Sequence, residues 1–310
     1  MNSTRIHVAM CVDHGFTLPL AAALASIDQA SRQDSVTVHV VHPGFSQAIK
    51  TRVTSRLTTV DVSWYAVDDS VLGGAYYSDF LTPASLYRLL LGKILPPEVT
   101  RVLYLDADTI TLSSLAVAYT MELNGAVIGA VRDAGSPWAA GPSGPAWRLL
   151  GLSPSSANLN SGVLLVDLDS WRANSVGEKC LDLLRRENPR WGDQDALNVV
   201  LEGRWLELSR RWNLQTADLS DYSLAWAHWP QDIEDALQAP SIVHFTERDK
   251  PWNAGSRHPL AEKWFEALDR TAWSGWRPRK PPEYPLTRRI IAVLRSIRDS
   301  RAQRRGQLPE

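Results

Sequence analysis

Cysteine is scarce in this sequence, which has only Cys11 and Cys180 among its 310 residues. Two thiols cannot build a disulfide framework or a cysteine-rich zinc module, so we expect a reducing, cytoplasmic location. Long hydrophobic runs are also lacking. The apolar stretch from Leu18 to Ile27 is too short to span a bilayer, and no secretory signal pattern is evident.

An excess of charge of one sign is also lacking, since the formal net charge is −1. The charges are nevertheless unevenly distributed. Residues 277–310 contain ten basic and three acidic side chains, a net charge of +7, which leaves −8 for residues 1–276. A basic segment alone does not indicate nucleic-acid binding, and no recognised nucleic-acid-binding motif accompanies it. We therefore expect no nucleic-acid partner.

The arrangement of apolar segments predicts an α/β fold with a mainly parallel central sheet flanked by helices, because strand-like and helix-like segments alternate. Hydrophobic residues form 44% of the chain, enough for a sizeable core. A proline-rich segment over 278–285 predicts a linker, so we expect a core domain over 1–276 and a tail over 277–310. Predicted strands cover 5–12, 36–41, 61–67, 101–105, 126–131, 161–167, 205–208 and 241–245; predicted helices cover 19–30, 53–57, 85–95, 176–187 and 193–201; a loop is predicted over 135–145.

The most informative segment is an apolar strand that ends in two carboxylates, Asp106 and Asp108. Strand alternation would place both side chains on one side of the backbone. Paired negative charges are unfavourable without a compensating cation. The carboxyl end of a strand is also where α/β sheets bind ligands. The pattern predicts a divalent metal site and a phosphate-bearing substrate.

The same Asp-x-Asp pattern has a second interpretation. Asp106-Ala107-Asp108-Thr109 after a strand matches the nucleophile motif of haloacid-dehalogenase-type phosphatases, which form an aspartyl-phosphate. Those enzymes also need a later acidic pair. Asp68–Asp69 is the adjacent pair of aspartates in this chain, and it lies upstream. The phosphatase interpretation therefore ranks second.

A histidine lies at the end of the last predicted strand, and a lysine follows that strand. His244 could complete a metal shell begun by two carboxylates, and such mixed nitrogen and oxygen ligands suit Mn²⁺. Lys250 is a compact cation suited to phosphate oxygens. The alternative is a hydrogen-bonded histidine beside a solvated lysine.

Two further segments carry polar side chains suited to sugar hydroxyls. Asn160 lies in Asn158-Leu159-Asn160-Ser161-Gly162 before an apolar strand, where an amide can both donate and accept. Asp193 and Gln194 open a predicted helix. The alternative interpretation of the Asn160 segment is an ordinary turn before a strand. The alternative for Asp193 is an acid in the first helical turn, where the helix dipole favours it.

Together, these motifs resemble the retaining glycosyltransferases of family 8, the group that contains lipopolysaccharide galactosyltransferases and glycogenin. The resemblance spans about residues 5 to 255 and extends to motif order and spacing. Its segments are Asp13 after the first strand, Tyr87 and Arg88, Tyr104-Leu105-Asp106-Ala107-Asp108, Asn160-Ser161-Gly162-Val163-Leu164-Leu165, Asp193-Gln194-Asp195-Ala196-Leu197-Asn198, and His244 with Lys250-Pro251-Trp252.

The resemblance implies a single GT-A-type nucleotide-sugar-binding domain. The expected reaction moves a hexose from a nucleoside-diphosphate sugar, expected to be a UDP-sugar, to a saccharide, lipid-linked or other hydroxyl acceptor. A chain of this family that had lost turnover would remain a sugar-nucleotide-binding protein. The ligands of Mn²⁺, or Mg²⁺, would be Asp106, Asp108 and His244.

The resemblance also implies roles for the other residues of the site. Cys11, Asp13 and Phe16 would bind the nucleoside; Arg88, Asn160, Asp193 and Gln194 would contact the donor sugar; Lys250 would neutralise the diphosphate. The catalytic residues would be Gln194, Asp193 and Lys250. Three positions depart from the family: Gly15 and Phe16 replace the frequent Asn and Tyr, and Glu247 replaces a common glycine.

The tail predicts an amphipathic helix within residues 286–305. Its apolar side chains share one helical face, and arginines lie off that face. Such a helix can lie on an anionic membrane surface, which would make the protein peripheral on the inner face of the membrane. The alternatives are packing on the core, a homo-oligomer, or a disordered basic end.

Overall fold

The computed structural model describes residues 5–75, 82–142, 144–220 and 224–279. The predicted tail helix and most of the predicted linker lie outside the described residues. The strands are β1 (Ile6–Cys11), β2 (Val36–His42), β3 (Val60–Ala66), β4 (Arg101–Leu105), β5 (Thr109–Thr111), β6 (Ile128–Arg132), β7 (Leu159–Asp167), β8 (Trp205–Glu207), β9 (Leu214–Gln215) and β10 (Ile242–His244).

The α-helices of the described residues are mostly short. They are α1 (Thr17–Ala30), α2 (Gln47–Thr54), α3 (Leu91–Ile94), α4 (Ala116–Tyr119), α5 (Trp147–Leu150), α6 (Leu168–Ala173), α7 (Val176–Glu187), α8 (Asp193–Val200), α9 (Pro230–Gln238) and α10 (Ala261–Leu268). Turns of 3₁₀-helix cover His14–Phe16, Asp69–Leu72, Pro83–Leu90, Arg210–Trp212 and Thr216–Leu219.

The central sheet has seven strands in the order β3-β2-β1-β4-β7-β6-β8. Every neighbouring pair is parallel except β4 with β7 and β7 with β6. The predicted α/β fold with a mainly parallel sheet is therefore confirmed. Because β7 runs against its neighbours, the beginning of β7 lies beside the carboxyl end of β4. This single reversal brings together residues that are about 55 positions apart.

Buried side chains cover both faces of the central sheet, as expected for a sheet between two helical layers. One core packs α1 and α2 onto the sheet through residues such as Leu20, Leu24 and Val53. The opposite core contains Leu168, Trp171 and the buried face of α7. The Ser85–Leu95 helix was predicted wrongly in type, because residues 83–90 form a 3₁₀-helix before the short α3.

A second, three-stranded sheet has the order β5-β10-β9. It packs on α1 and α10 through a separate cluster that contains Ile110, Val243, Phe245 and Trp264. Helices α9 and α10 were not predicted from the sequence. The helix predicted at 53–57 was misplaced, since α2 ends at Thr54. None of the described helices is long and apolar enough to cross a bilayer.

Candidate active site

Asp106 and Asp108 lie in the turn that joins β4 to β5. Strand β4 ends at Leu105, and the backbone N–H of Thr109 donates to the carbonyl oxygen of Asp106 (3.2 Å). The hydroxyl of Thr109 donates to the same oxygen (2.7 Å). The expectation that strand alternation aligns the two carboxylates is therefore wrong, because the strand has already ended. A closed turn aligns them instead.

His244 reaches these carboxylates through the small sheet. Strand β10 runs antiparallel to β5, with His244 opposite Thr109. Its Nε2 lies 3.2 Å from Asp108 Oδ1 and 3.8 Å from Asp106 Oδ2. One ligand atom from each of the three residues lies within 4.8 Å of the others, and the described residues contain no other such cluster of His, Cys, Asp or Glu. The predicted metal ligands are thus brought together.

Gly162 on β7 provides the space for this cluster. The backbone N–H of Asp106 donates to the carbonyl oxygen of Gly162 (2.8 Å), so these two backbone segments are in direct contact. A Cβ at residue 162 would lie 2.8 Å from Asp106 Oδ2 and would overlap the His244 ring. Only a residue without a side chain allows this approach.

Lys250 forms an ion pair with Asp108, its Nζ lying 2.7 Å from Oδ2. The ammonium group also donates to the carbonyl oxygen of Phe245. Burial would raise the pKa of Asp108, but the neighbouring Lys250 ammonium and His244 imidazole outweigh it and hold this pKa well below its usual range. Asp108 is therefore ionised at neutral pH. Glu247, in the same loop, is exposed and is not among the described non-glycine residues with positive φ, so its backbone does not require glycine.

Arg88 lies buried between two carboxylates of the site. It donates to Asp106 Oδ1 (2.8 Å), and its Nε lies 3.2 Å from Asp193 Oδ2. It also donates to the carbonyl oxygen of Ser161 (2.7 Å). Burial would lower the pKa of Arg88, but both carboxylates raise it. Arg88 thus links a predicted metal ligand to a residue predicted to contact sugar.

Asp193 and Gln194 begin α8 and face the beginning of β7. The hydroxyl of Ser161 donates to Asp193 (3.1 Å), and the backbone N–H of Ser161 donates to Gln194 Oε1 (3.2 Å). Asn160 Nδ2 donates to the same oxygen of Gln194 (3.3 Å). Burial raises the pKa of Asp193, and Arg88 opposes this shift only in part. The predicted sugar-contacting residues are therefore neighbours.

Asp133 belongs to this group but was missed in the sequence. It follows β6, and its Oδ2 accepts from Asn160 Nδ2 (3.3 Å) and Gln194 Nε2 (3.4 Å). Burial raises its pKa, which hydrogen bonds lower only in part. The signal was available, because Asp133 follows a strand end as Asp106 does.

Cys11, Asp13 and Phe16 lie at the carboxyl end of β1. Cys11 is buried, and burial raises the pKa of its thiol, so that it stays protonated. One oxygen of Asp13 accepts from the backbone N–H of Phe16 (3.1 Å), which caps a 3₁₀-helical turn. The Phe16 ring lies edge-on to Trp252, with centroids 6.1 Å apart. This contact connects the predicted nucleoside residues to the Lys250 loop.

An aromatic cluster adjoins Asp133, and the sequence did not reveal it. The rings of Trp138 and Trp229 are stacked, with centroids 5.4 Å apart, and the exposed His228 lies 4.4 Å from Trp138. The Arg132 guanidinium lies 5.9 Å and 5.1 Å from the two tryptophan centroids. The cluster joins Trp138 to His228 and Trp229, which are far away in sequence.

The acidic pair invoked for the phosphatase interpretation has local roles. Asp68 caps a turn of 3₁₀-helix by accepting from the backbone N–H of Ser70 (2.8 Å). Asp69 accepts from the Tyr87 hydroxyl. Neither residue belongs to the Asp106–Asp108–His244 cluster. The structure therefore adds nothing in favour of that interpretation.

A protein-family model and two known proteins are similar in sequence to this chain. The model of "Glycosyl transferase family 8" matches residues 7–255. General stress protein A of Bacillus subtilis (strain 168) is 26% identical over 284 residues, covering 87% of this chain and 95% of that protein. A lipopolysaccharide 1,2-glucosyltransferase of Escherichia coli (strain K12) is 25% identical over 284 residues, covering 88% and 80%.

Solved structures agree on the fold. A crystal structure of the galactosyltransferase LgtC in complex with donor and acceptor sugar analogs superposes with a TM-score of 0.72 at 21% identity. The superposition covers 87% of this chain and 99% of that chain.

Proposed function

Because this chain belongs to glycosyl transferase family 8 and is a glycosyltransferase, we propose that it moves a hexose from a UDP-sugar to a hydroxyl acceptor with retention of anomeric configuration. The observation that carries the proposal is the convergence of Asp106, Asp108 and His244 beside Gly162. The family and this cluster support a donor that carries a diphosphate.

The cluster fits a divalent metal. Two carboxylates and one imidazole suit Mn²⁺, with Mg²⁺ as the alternative, and the missing side chain at Gly162 leaves room for the close approach of the ligands. When bound, the ion would neutralise charge that develops on the leaving diphosphate. Lys250, already beside Asp108, would contribute a second positive charge.

The side chains around the sugar favour front-face attack by the acceptor. Gln194 Oε1 already accepts from the backbone N–H of Ser161 and from Asn160, and an amide is a poor nucleophile. The Asp193 carboxylate is engaged by Arg88 and the Ser161 hydroxyl. Neither group is free to form a covalent intermediate without losing buried partners. Both are placed to orient the sugar, with Asp133 holding Gln194.

The nucleoside would bind at the carboxyl end of β1. Asp13 has one oxygen occupied by its capping bond, which leaves the other for a base N–H. Phe16 can stack on a base but lacks a hydroxyl to hydrogen-bond to it. Cys11, buried and protonated, would contact the nucleoside through its backbone and apolar surface.

The acceptor side is proposed to include the aromatic cluster of Trp138, His228 and Trp229. Aromatic faces offer flat apolar surface to the C–H groups of a pyranose ring. Asp133, next to Arg132 in this cluster, contacts Gln194 at the reaction site. Lipopolysaccharide-modifying relatives support a saccharide or lipid-linked acceptor.

The tail is proposed to place the enzyme on an anionic membrane surface from the cytoplasmic side. The support is its composition, since residues 280–310 contain eight basic and three acidic side chains. Each basic residue near such a surface adds roughly 1 kcal/mol of binding free energy. Homo-oligomer formation through the tail is the competing role.

A donor-hydrolysis experiment tests the enzymatic proposal. The protein is incubated with UDP-glucose, UDP-galactose and UDP-N-acetylglucosamine in the presence of Mn²⁺, with and without EDTA, and free UDP is measured. We expect UDP release that depends on Mn²⁺. A phosphatase would instead release phosphate from p-nitrophenyl phosphate, and an inactive binder would show a thermal shift without UDP. A product of inverted configuration by NMR would contradict the retaining mechanism.

A further inference from the structure

We propose that Asn213 is a positioning residue that sets the tautomer of His244 and so presents Nε2 to the metal. The metal part rests on the proposed function; the tautomer part does not. Asn213 lies between the 3₁₀ turn Arg210–Trp212 and β9 and is fully buried. It was not singled out in the sequence.

The orientation of the Asn213 amide follows from that of its neighbour Asn160. A backbone N–H group, which can only donate, fixes the Asn160 amide first. The N–H of Gly162 can only donate, and it lies 3.1 Å from Asn160 Oδ1. That contact identifies the carbonyl oxygen of the Asn160 amide. The opposite end, Nδ2, then faces the acceptors Asp133 Oδ2 and Gln194 Oε1, each at 3.3 Å. Both ends of Asn160 therefore agree.

The Asn160 oxygen fixes Asn213 in turn. Asn213 Nδ2 donates to Asn160 Oδ1 (2.9 Å). The other end of the Asn213 amide is consequently its oxygen, which lies 2.9 Å from His244 Nδ1. An amide oxygen can only accept, so Nδ1 of His244 carries the proton. In the neutral ring the lone pair is then on Nε2.

The other ring nitrogen of His244, Nε2, faces the proposed metal ligands. His244 Nε2 is the atom that lies 3.2 Å from Asp108 Oδ1, on the side of the two carboxylates. A chain of hydrogen bonds therefore runs from the His244 imidazole through Asn213 and Asn160 to Gln194 and Asp133. Partners of this kind orient metal-bound histidines and strengthen them as ligands. Asn213 couples the metal side of the site to the sugar side.

The test compares three variants of the full chain. Asn213→Ala removes the acceptor, Asn213→Asp keeps an acceptor for Nδ1–H, and Asn158→Ala removes a buried amide that bonds to Ser136 instead of His244. Isothermal titration with Mn²⁺ is the first readout, with thermal melts to verify folding. We expect Asn213→Ala to lose about 10- to 100-fold in affinity. Asn158→Ala should remain within about threefold of wild type. Asn213→Asp keeps the acceptor for Nδ1–H but loses the donor to Asn160 Oδ1, so its affinity should fall between those of Asn158→Ala and Asn213→Ala.

Ring ¹⁵N shifts of His244 in metal-free protein at pH 8 are the second readout. Wild type should show a protonated Nδ1, with or without a second proton on the Nε2 that faces Asp108, and Asn213→Ala should lose the preference for a protonated Nδ1. An Nε2–H tautomer in the wild type overturns the proposal even if no variant folds. Wild-type affinity in a folded Asn213→Ala variant also overturns it. If the wild type shows the tautomer but binds no Mn²⁺, the metal proposal fails and the positioning role of Asn213 stands.

Discussion

Gly162 lies against His244 so closely that no side chain fits between them. The two residues come from different sheets, β7 in the central sheet and β10 in the small one. Their contact places the imidazole beside Asp106. The proposed metal site therefore lies where the two sheets meet, and it depends on the absence of a Cβ at residue 162.

Replacing Gly162 by alanine should displace the ring. The added methyl group would overlap His244 and lie 2.8 Å from Asp106 Oδ2, so we expect Mn²⁺ affinity and turnover to fall by at least about tenfold. Titration calorimetry measures the first and UDP release the second. Gly129→Ala is the control, because the atoms nearest to its new Cβ belong to the side chains of Leu123 and Leu208, away from the cluster. It should lose stability without losing Mn²⁺ affinity; equal affinities in both variants would contradict the assignment.

Asp106→Ala and Asp108→Ala should each remove most turnover. Each change deletes a predicted metal ligand, and we expect UDP release to fall by about 100-fold or more. Asp106→Ala should also have a lower melting temperature than Asp108→Ala, because it removes one of the charged partners of the buried Arg88. Measurements at rising Mn²⁺ concentration check the ligand role, and near-normal rates in either variant at low Mn²⁺ would refute it.

Trp138→Ala should separate acceptor binding from donor chemistry. If a pyranose ring stacks on the aromatic cluster, removing Trp138 should raise the KM for the acceptor by about five- to tenfold. Donor hydrolysis without acceptor should be unchanged. A radiolabelled UDP-sugar and a panel of lactose, maltotriose and lipid-linked saccharides provide the assay. An unchanged acceptor KM would place the acceptor elsewhere.

Asp195→Asn should flatten the pH dependence of stability. Burial raises the pKa of Asp195 to about 6, and its Oδ1 has no hydrogen-bond partner among the described residues. The folded protein thus keeps a proton that the unfolded chain releases near pH 3.9. This contribution is complete below about pH 4 and is lost as the pH rises through 6, at up to about 1.4 kcal/mol of unfolding free energy per pH unit.

Urea unfolding between pH 4 and 8 measures this slope. The asparagine can still accept from the Trp191 N–H, so the variant should be the more stable protein above pH 6. Asp218, whose pKa burial also raises to about 6, remains in the variant and should maintain a residual slope. A variant with an unaltered slope would show that Asp195 is ionised in the folded protein.

Truncation after Arg279 should release the protein from anionic vesicles. This boundary keeps Arg277, which pairs with Asp269 at 2.7 Å, and removes a net charge of +5 in residues 280–310. Sedimentation with phosphatidylserine vesicles at 0.1 M salt measures binding. Neutral phosphatidylcholine vesicles are the control. Equal binding by both forms would dismiss the membrane role and favour the oligomer or core-packing alternatives.

Several parts of the structure could be predicted because their causes are local. The apolar segment 101–105 becomes β4, which ends at Leu105 where the carboxylates begin. The helix over 176–187 is found at those residues. The β-branched and aliphatic run before His244 likewise becomes a strand, although in the small sheet rather than the central one.

Other parts depend on contacts between distant segments. Asn213 carries no local sequence signal, and Asp133 carries only its position after a strand. Their roles arise from contact with Asn160 at the beginning of β7. Trp138 and Trp229 likewise become one surface only because two loops meet. Hydrogen bonds and stacking between such segments form only when the fold brings the segments together. The types of the residues alone do not predict that placement.

The amino-acid sequence alone determined the chemistry available to this protein: two carboxylates after an apolar strand, an imidazole, a lysine, and amides at strand and helix beginnings. Only the tertiary structure decided their geometry. The reversed direction of β7 and the pairing of β10 with β5 place Gly162 and His244 beside Asp106 and Asp108. The physical reason is that strand direction and register are set by packing over the whole core, whereas the ligand atoms are set residue by residue.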